Sequence, residues 1–483
     1  MKINLKDITL RYFNARFLCY WSIVWAVGVM AISPVVNYVT PLLNSGYNSQ
    51  WTPDILYRLN MYWHGGIFLP WVIVLLTVVY VVIGLDSMKG VLGRLVRIFL
   101  FGFGFFAVPL AGIGGIFNVT DKFAWGIPHL LEYPGFAVLD LASVAIMISL
   151  IVYPRLSGKG YRKMGLPFYV LLLCVIGSFI AAMLGYVAAY ITVSGPSPPI
   201  VSHYINSTMY PVLGYYNSTA VITFAQNVVG SHSHAMLPIL MAGIVVLVAI
   251  VCGYDVWSKG QKIISSIGFL TMFGSVIAVL GIYLASGIGN YQVPTLFASG
   301  PNGVAQDDII TGVVGLGALF VLVALLLASG KKGGNGHTIK DPLFASVVIA
   351  WIIIYLVIPV NGFYINFNEA FYSGAGSAFD DAYTRFHQDY AFFLLPILVT
   401  TFLIFEMFEI SGIKRKRVGY LYISGEIIIF VLGEIYSMVT LNPYVLYGAG
   451  FGGALVAVGA LMGARALNKT GFENNQLGSE RSQ

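Results

Sequence analysis

The chain has 483 residues, of which 58% are hydrophobic, 14% aromatic and only 10% charged, and its mean hydropathy is +0.82. Soluble domains carry about 25% charged residues, so this composition excludes a set of soluble domains. It predicts an all-α integral membrane protein with many spanning helices that contact lipid, and we expect no nucleic acid as a partner. The formal net charge of +6 matters less than which loops hold the cations.

Apolar runs of spanning length predict twelve transmembrane helices in chain order. They cover residues 17–36, 61–84, 98–116, 136–153, 166–193, 232–254, 264–288, 311–329, 343–361, 388–410, 419–440 and 448–464. The chain is therefore expected to form one polytopic membrane domain over 1–464. Residues 465–483 are polar and are expected to form a disordered cytoplasmic tail.

The loops between the predicted spans alternate between short basic ones and longer ones that are nearly free of cations. All but three of the 26 lysines and arginines fall on one side when the termini are counted with the basic loops. The positive-inside rule makes that side the cytoplasm, which predicts a multi-pass plasma-membrane protein with both termini inside. Asn-x-Ser/Thr sequons at Asn118, Asn206 and Asn217 fall in outer loops, where glycosylation can occur.

A short sequence motif, a histidine followed some residues later by Leu-Pro, occurs in spans two, six and ten. It ends at Leu69-Pro70, Leu237-Pro238 and Leu395-Pro396. This recurrence predicts three pseudo-repeated four-helix blocks, at about 1–163, 164–340 and 341–464. The alternative is coincidence, because Leu-Pro is a common pair in leucine-rich spans.

Five of the seven histidines lie at the outer ends of predicted spans: His64, His129, His232, His234 and His387. Ionisable groups in lipid are costly unless a ligand, ion or water uses them, so this set favours ligand binding over core packing. The cysteines Cys19, Cys174 and Cys252 fall in apolar runs and form no metal-binding spacing.

The spacing of two histidines in the sixth span indicates two separate centres. His232 and His234 point about 200° apart on a helix, so they cannot both bind one metal ion. Apolar and aromatic surroundings with histidine as the axial ligand suit haem iron, one or two haems of b or a type. His64 would face one of the sixth-span histidines and His387 the other.

Further residues are predicted to bind the haem propionates and quinol. Arg58 and Arg385 precede His64 and His387 by a few residues and would pair with propionates, unless they are simple exceptions to the topology rule. His129, Glu132 and Asp140 share the start of the fourth span and would accept the hydroxyl protons of quinol as catalytic groups. Other carboxyl groups in apolar context are candidates for proton or quinol sites: Asp389, Glu426 and Glu434.

The run Asn60-Met61-Tyr62-Trp63-His64-Gly65 resembles the second span of subunit I of the haem–copper oxidase and nitric oxide reductase superfamily. That resemblance implies twelve helices in three blocks, termini inside and a low-spin haem on His64. The sequence departs from the family at the copper site: there is no His-Pro-Glu-Val-Tyr in span six, no His-His pair in span seven, and one histidine in span ten. No copper is expected.

In size, span number, sequons and cation-poor outer face, the chain is also similar to a second family of proteins. These are the large hydrophobic subunits that accompany membrane cytochrome b and Rieske proteins in thermoacidophilic archaea. The first resemblance implies haem binding, and the second implies a respiratory subunit that moves electrons between quinol and an outer-face cytochrome b or Rieske partner. A twelve-helix secondary transporter and a haem-free membrane anchor remain as alternatives.

Overall fold

The computed structural model describes residues 14–43, 62–88, 90–120, 127–157, 164–193, 236, 238–289, 295–296, 304–328, 338–361, 386, 390 and 394–480. In this part of the chain the structure is helical, apart from an antiparallel pairing of two short strands, β1 (Thr295–Leu296) and β2 (Val304–Ala305). The helices are α1 (Ala15–Leu43), α2 (Leu69–Val82), α3 (Gly90–Val96), α4 (Gly104–Thr120), α5 (Ile127–Leu156), α6 (Leu166–Val193), α7 (Pro238–Val251), α8 (Lys259–Gly289), α9 (Gln306–Ala328), α10 (Pro342–Ile352), α11 (Leu395–Met407), α12 (Ile413–Ile435) and α13 (Pro443–Glu480).

Several helices continue into π-helical segments, in which an amide bonds to the carbonyl five residues back. These segments are His64–Phe68 before α2, Arg97–Phe103 between α3 and α4, Ile353–Val357 after α10 and Tyr436–Thr440 after α12. With them, nine helices in the described ranges are long and apolar enough to cross a membrane, and three apolar helices are shorter, at Pro238–Val251, Gly312–Ala328 and Leu395–Met407. This is the architecture of an all-α, multi-pass membrane protein.

Large apolar side chains on the outside of the bundle are consistent with contact with lipid. Phe103, Phe106, Leu270 and Phe451 are each about half exposed or more, and they lie on three different long helices. A soluble monomer rarely exposes apolar surface on this scale. The structure therefore supports the prediction of an integral membrane protein.

Helix α13 extends beyond the predicted end of the membrane domain. Its backbone is helical to Glu480, whereas the sequence predicts a disordered tail from 465. No proline interrupts this stretch, and Ala464-Arg465-Ala466-Leu467 consists of strong helix formers. Polarity alone therefore placed the predicted helix end too early.

The helices pack in pairs through small residues that bring their backbones close together. A Cβ atom built on Gly268 of α8 would lie 2.4 Å from the carbonyl oxygen of Gly317 in α9. Gly425 of α12 and Gly452 of α13 approach in the same way, each 2.6 Å from the carbonyl oxygen of the other. Between α4 and α5, Gly135 lies against Ala111, at 2.8 Å. Small residues of this kind are how membrane helices without a hydrophobic driving force associate closely.

A cluster of charged side chains joins three helices at the end of the bundle where α10 and α12 begin. The Arg415 guanidinium lies 2.5 Å from the Asp341 carboxylate and also pairs with Glu406 at the end of α11. Asp341 caps α10 by accepting the amide of Leu343 at 3.2 Å. The cluster therefore fixes the starts of α10 and α12 against the end of α11.

Candidate functional site

Span two places the predicted ligand His64 at the start of a π-helical turn. The Leu69 amide donates to the His64 carbonyl, five residues back, and Pro70 follows directly. Proline has no amide hydrogen, and its ring crowds the carbonyl four residues before it, here that of Gly66. A π-turn is a common way in which a helix accommodates an irregularity, and such turns occur often at functional sites.

The outer part of span two is held against α1 by a close contact and two hydrogen bonds. A Cβ atom on Gly66 would lie 2.6 Å from the Val29 side chain, so only glycine allows this approach. The Tyr62 hydroxyl donates to the Val29 carbonyl at 2.6 Å and lies 3.1 Å from the Ser33 hydroxyl. The backbone that carries His64 is therefore fixed on one side by α1.

The His64 side chain is half-buried, with its ring centroid 5.9 Å from that of Phe68. A half-buried imidazole next to an aromatic ring fits one axial position of a haem. The other predicted ligands and propionate partners lie outside the described residues: His232, His234, His387, Arg58 and Arg385. Their pairing with His64 stays a prediction.

Span ten repeats the backbone geometry of span two in its described residues. Tyr390 and Leu394 have π-helical geometry, and they stand six and two positions before Pro396. His64 and Phe68 stand at the same distances before Pro70. Tyr390 thus takes the position of His64, a correspondence that alignment on the prolines could have revealed and that the search for histidines missed.

The surroundings of Tyr390 are aromatic and apolar. The side chain is 2% exposed, and its ring centroid lies 6.2 Å from that of Phe386 and 6.1 Å from that of Phe430 in α12. Its hydroxyl has no hydrogen-bond partner among the described residues. A buried hydroxyl without a partner is costly, so it marks this position as a candidate functional site.

The proposed quinol residues share helix α5. His129 and Asp140 are eleven residues apart, which places them about 20° apart around the helix, with Glu132 about 60° from His129. Asp140 is half-buried, and it lies about 12 Å along the axis beyond Glu132. The side chains of His129 and Glu132 are outside the described part, so their meeting with Asp140 stays a prediction.

Two glutamates of span eleven have different surroundings. Glu434 accepts a hydrogen bond from the Asn361 amide at 3.3 Å. Glu426 is fully buried, and neither of its carboxyl oxygens has a hydrogen-bond partner among the described residues. Ionisable groups inside membrane spans are rare and costly, so this buried carboxyl group is a candidate functional group.

Within the described ranges, no group of three or more histidine, cysteine, aspartate or glutamate side chains is placed to hold a metal ion. The three cysteines are buried and separate. No known protein family matches the sequence, and no curated protein or solved structure is significantly similar to it. The function must therefore be inferred from the residues and their geometry.

Proposed function

We propose that the chain is a haem-binding membrane subunit of a respiratory electron-transfer complex. In this proposal it has twelve transmembrane helices in three four-helix blocks, and it moves electrons between quinol and an outer-face cytochrome or Rieske partner. The observation that carries the proposal is the π-turn before Leu-Pro. In spans two and ten it lies at the same distance before the proline, and in span two it begins with His64. Counting the three shorter apolar helices as spans gives the twelve helices of the proposal.

The packing within each group of four helices supports the repeat. In each group of four, the first helix packs against the third, and the third packs against the fourth. The first, third and fourth helices are α1, α4 and α5 in the first group, α6, α8 and α9 in the second, and α10, α12 and α13 in the third. Each third and fourth helix approach through the small residues described above. Three unrelated segments would have no reason to share this order of contacts.

The turn after the second helix also recurs. Val82-Ile83-Gly84-Leu85-Asp86 and Val251-Cys252-Gly253-Tyr254-Asp255 each end a helix at a left-handed glycine, with φ of 82° and 79°, and continue into one 3-10 turn. At the corresponding place after α11 the left-handed residue is Glu409, with φ of 54°. A repeated C-terminal cap at a matching place in each group supports three copies of one unit.

Contacts between the groups are consistent with a closed ring. The fourth helix of each group packs against the first span of the next group. These contacts join α5 to α6, α9 to the π-segment that continues α10, and α13 to α1. Inside the ring α2 contacts α11, and the Tyr355 hydroxyl donates to the Met241 carbonyl of α7 at 2.8 Å. The three Leu-Pro helices therefore face the interior, where cofactors of a helix bundle are bound.

In this proposal His64, His232, His234 and His387 supply neutral imidazoles to haem iron, and Arg58 and Arg385 pair with the propionates. Haem supplies one-electron transfer when bound. His129, Glu132 and Asp140 hold quinol at the start of α5 and take up its hydroxyl protons. The apolar interior formed by the Leu-Pro helices excludes water from the electron path.

An absorption spectrum of the purified, dithionite-reduced protein tests the proposal. Haem gives Soret and α bands, and the proposal requires them. A spectrum without these bands in protein isolated with its native partners would contradict haem binding, and it would favour a secondary transporter or a haem-free anchor.

We expect both termini to face the cytoplasm, because the cation-rich loops lie on their side. A single cysteine introduced at Asn206 should react with an impermeant maleimide on intact cells, and one at Ser482 only after permeabilisation. A cysteine-free background with Cys19, Cys174 and Cys252 replaced by alanine provides the control. The reverse labelling pattern would refute the topology and with it the three-block proposal.

We also expect that the chain does not reduce oxygen by itself, since the sequence lacks the copper-ligating histidines of the family it resembles. Membranes that contain it as the only candidate oxidase should show no cyanide-sensitive oxygen consumption. The matched control is the same membranes with an authentic oxidase expressed at equal level. Cyanide-sensitive consumption without that oxidase would show that a metal site was missed.

A further inference from the structure

One face of span eleven carries buried polar side chains along most of its length. Tyr422, Glu426 and Ser437 are each at most 1% exposed. Their spacings of four and eleven residues place them within about 60° of one another around a helix. Arg415, seven residues before Tyr422, continues the same face into the charged cluster at the start of α12. Buried polar side chains inside a membrane protein are costly, and they mark candidate sites for a proton, an ion or a polar ligand.

This face lies against span ten. The Tyr422 hydroxyl and the Thr401 hydroxyl are 2.7 Å apart, and the Phe430 ring contacts the Tyr390 ring at 6.1 Å. Glu426 stands one turn from each of Tyr422 and Phe430, so it lies between two contacts with span ten. Its carboxyl group is therefore enclosed at the level of Pro396, where span ten turns from π-helix to α-helix.

The ionisable groups nearest to Glu426 in the described parts of the helices around it are two tyrosines. Tyr422 stands one turn before it and is hydrogen-bonded to Thr401, whereas Tyr390 packs on Phe430, one turn after it, and the Tyr390 hydroxyl and the Glu426 carboxyl both lack hydrogen-bond partners among the described residues. The tyrosine of span nine, Tyr355, donates its hydroxyl to α7, and Glu434 is two turns further along and bonded to Asn361. At the same level α13 contributes Gly452 and Val456, which are apolar. No described cation stands near enough to pair with the Glu426 carboxylate.

Among the described residues no cation pairs with Glu426, and this determines which form of the acid these surroundings favour. An ionised carboxylate without a partner in an apolar interior costs far more than a neutral acid. A neutral acid still carries a proton that it can exchange, and a hydroxyl group at its side provides the route. A glutamine would have given the same packing without a proton, so the carboxyl group requires a functional explanation.

We propose that Glu426 is a proton-binding site within the membrane and that its proton exchanges through Tyr390. As the Glu426 O–H bond breaks, its proton passes by way of a water molecule to the Tyr390 oxygen, while the proton of that hydroxyl passes to another water, so the tyrosine stays neutral. This inference does not depend on haem. It adds proton transfer along spans ten and eleven to whatever redox or transport step the protein performs.

Infrared spectroscopy of the purified full-length protein at neutral pH tests the bound proton. The wild-type spectrum should contain the C=O band of a protonated carboxylic acid that shifts in D2O and on labelling with 13C-glutamate. Glu426→Gln should remove this band, whereas Glu409→Gln, at an exposed turn, should leave it unchanged. A wild-type protein without the band, or one in which Glu426→Gln retains it, would overturn the proposal.

The route of exchange is tested by the rate at which the same band shifts after transfer to D2O. Tyr390→Phe should slow the exchange at least about tenfold, because it removes the hydroxyl group that relays the proton, and a positioned proton-transfer group commonly contributes more than this factor. Tyr355→Phe is the matched control, because it removes another buried hydroxyl that faces α7, and it should not change the rate. Equal rates in wild type and Tyr390→Phe would refute the role of Tyr390.

Folding of the variants provides a second, independent readout. Glu426→Gln should keep the thermal midpoint and the haem content of the wild type, because the native group is already neutral. Glu406→Gln should lower the midpoint, since its native group is paired with Arg415. Loss of folded protein in Glu426→Gln would indicate an ionised carboxylate with a partner, and it would overturn the proposal. A wild-type protein that has the infrared band but no haem would refute only the electron-transfer function.

Discussion

Replacing His64 by alanine should remove about one haem from each chain. A low-spin iron that loses one of two axial imidazoles becomes high-spin or dissociates. The same result is expected for His387→Ala, because in the proposed arrangement each of these histidines pairs with a different histidine of span six. Pyridine-haemochrome counts and reduced spectra of the purified variants measure this loss directly.

Variants of span six separate the two centres. His232→Ala and His234→Ala should each remove one haem, and the double variant should remove both, because side chains two positions apart in a regular helix are predicted to point about 200° apart. His203→Ala and His337→Ala, in predicted loops, should change nothing. A wild-type count of one would mean that His64 and His387 share a single haem, and a count of zero would refute the haem proposal.

Gly419→Ala should lower the free energy of unfolding by about 2 kcal/mol or more. The added Cβ would lie 2.2 Å from the Leu343 nitrogen and 2.4 Å from the Pro342 carbonyl carbon, so the clash is with the backbone of α10. Overpacking of this kind typically costs about 1–3 kcal/mol, and a backbone cannot move aside as a side chain can. Thermal unfolding in detergent, followed by size-exclusion chromatography of a fluorescent fusion, measures the change.

Gly450→Ala on α13 is the matched control for this prediction. A Cβ there has no atom within 4 Å, and the residue is exposed. Alanine in a helix restricts the unfolded chain, so this variant should be stabilised by about 0.5–1 kcal/mol. If the two variants shifted the unfolding midpoint equally, the contact between α10 and α12 would not exist in the folded protein.

Much of the helical architecture could be predicted from the sequence because lipid requires long apolar runs. The predicted span 166–193 coincides with α6, and 419–440 lies within α12 and its π-segment. The start of span four was predicted at 136, but α5 begins at Ile127. Glu132 and Pro134 interrupt the apolar run, and a proline usually marks a helix end, so the sequence predicts a later start. In the structure the helix continues through both residues.

The candidate site was less accessible to sequence reasoning. Histidines indicated His64, and apolar context indicated Glu426. The sequence could not show that Glu426 is buried without a partner and that Glu406 is ion-paired, because burial and pairing depend on the helices that pack around each residue. The π-turns were not predicted, although a proline after a glycine-rich turn was a usable signal. The recurring Gly-x-Asp after spans two and six was a second signal for the repeat, and it was missed.

The contact between α1 and α13 determines when the bundle can be completed during synthesis. Arg16, at the start of α1, also reaches span ten: its guanidinium lies 4.8 Å from the ring centre of Phe408 and 3.5 Å from the carbonyl oxygen of that residue. These partners are separated from α1 by about four hundred residues of chain. Helix α1 must therefore wait in the membrane, with one face against lipid or an insertion factor, until the final helices emerge from the ribosome. Contacts of such long sequence separation form slowly, so biogenesis of this protein should be limited by the arrival of its last helices.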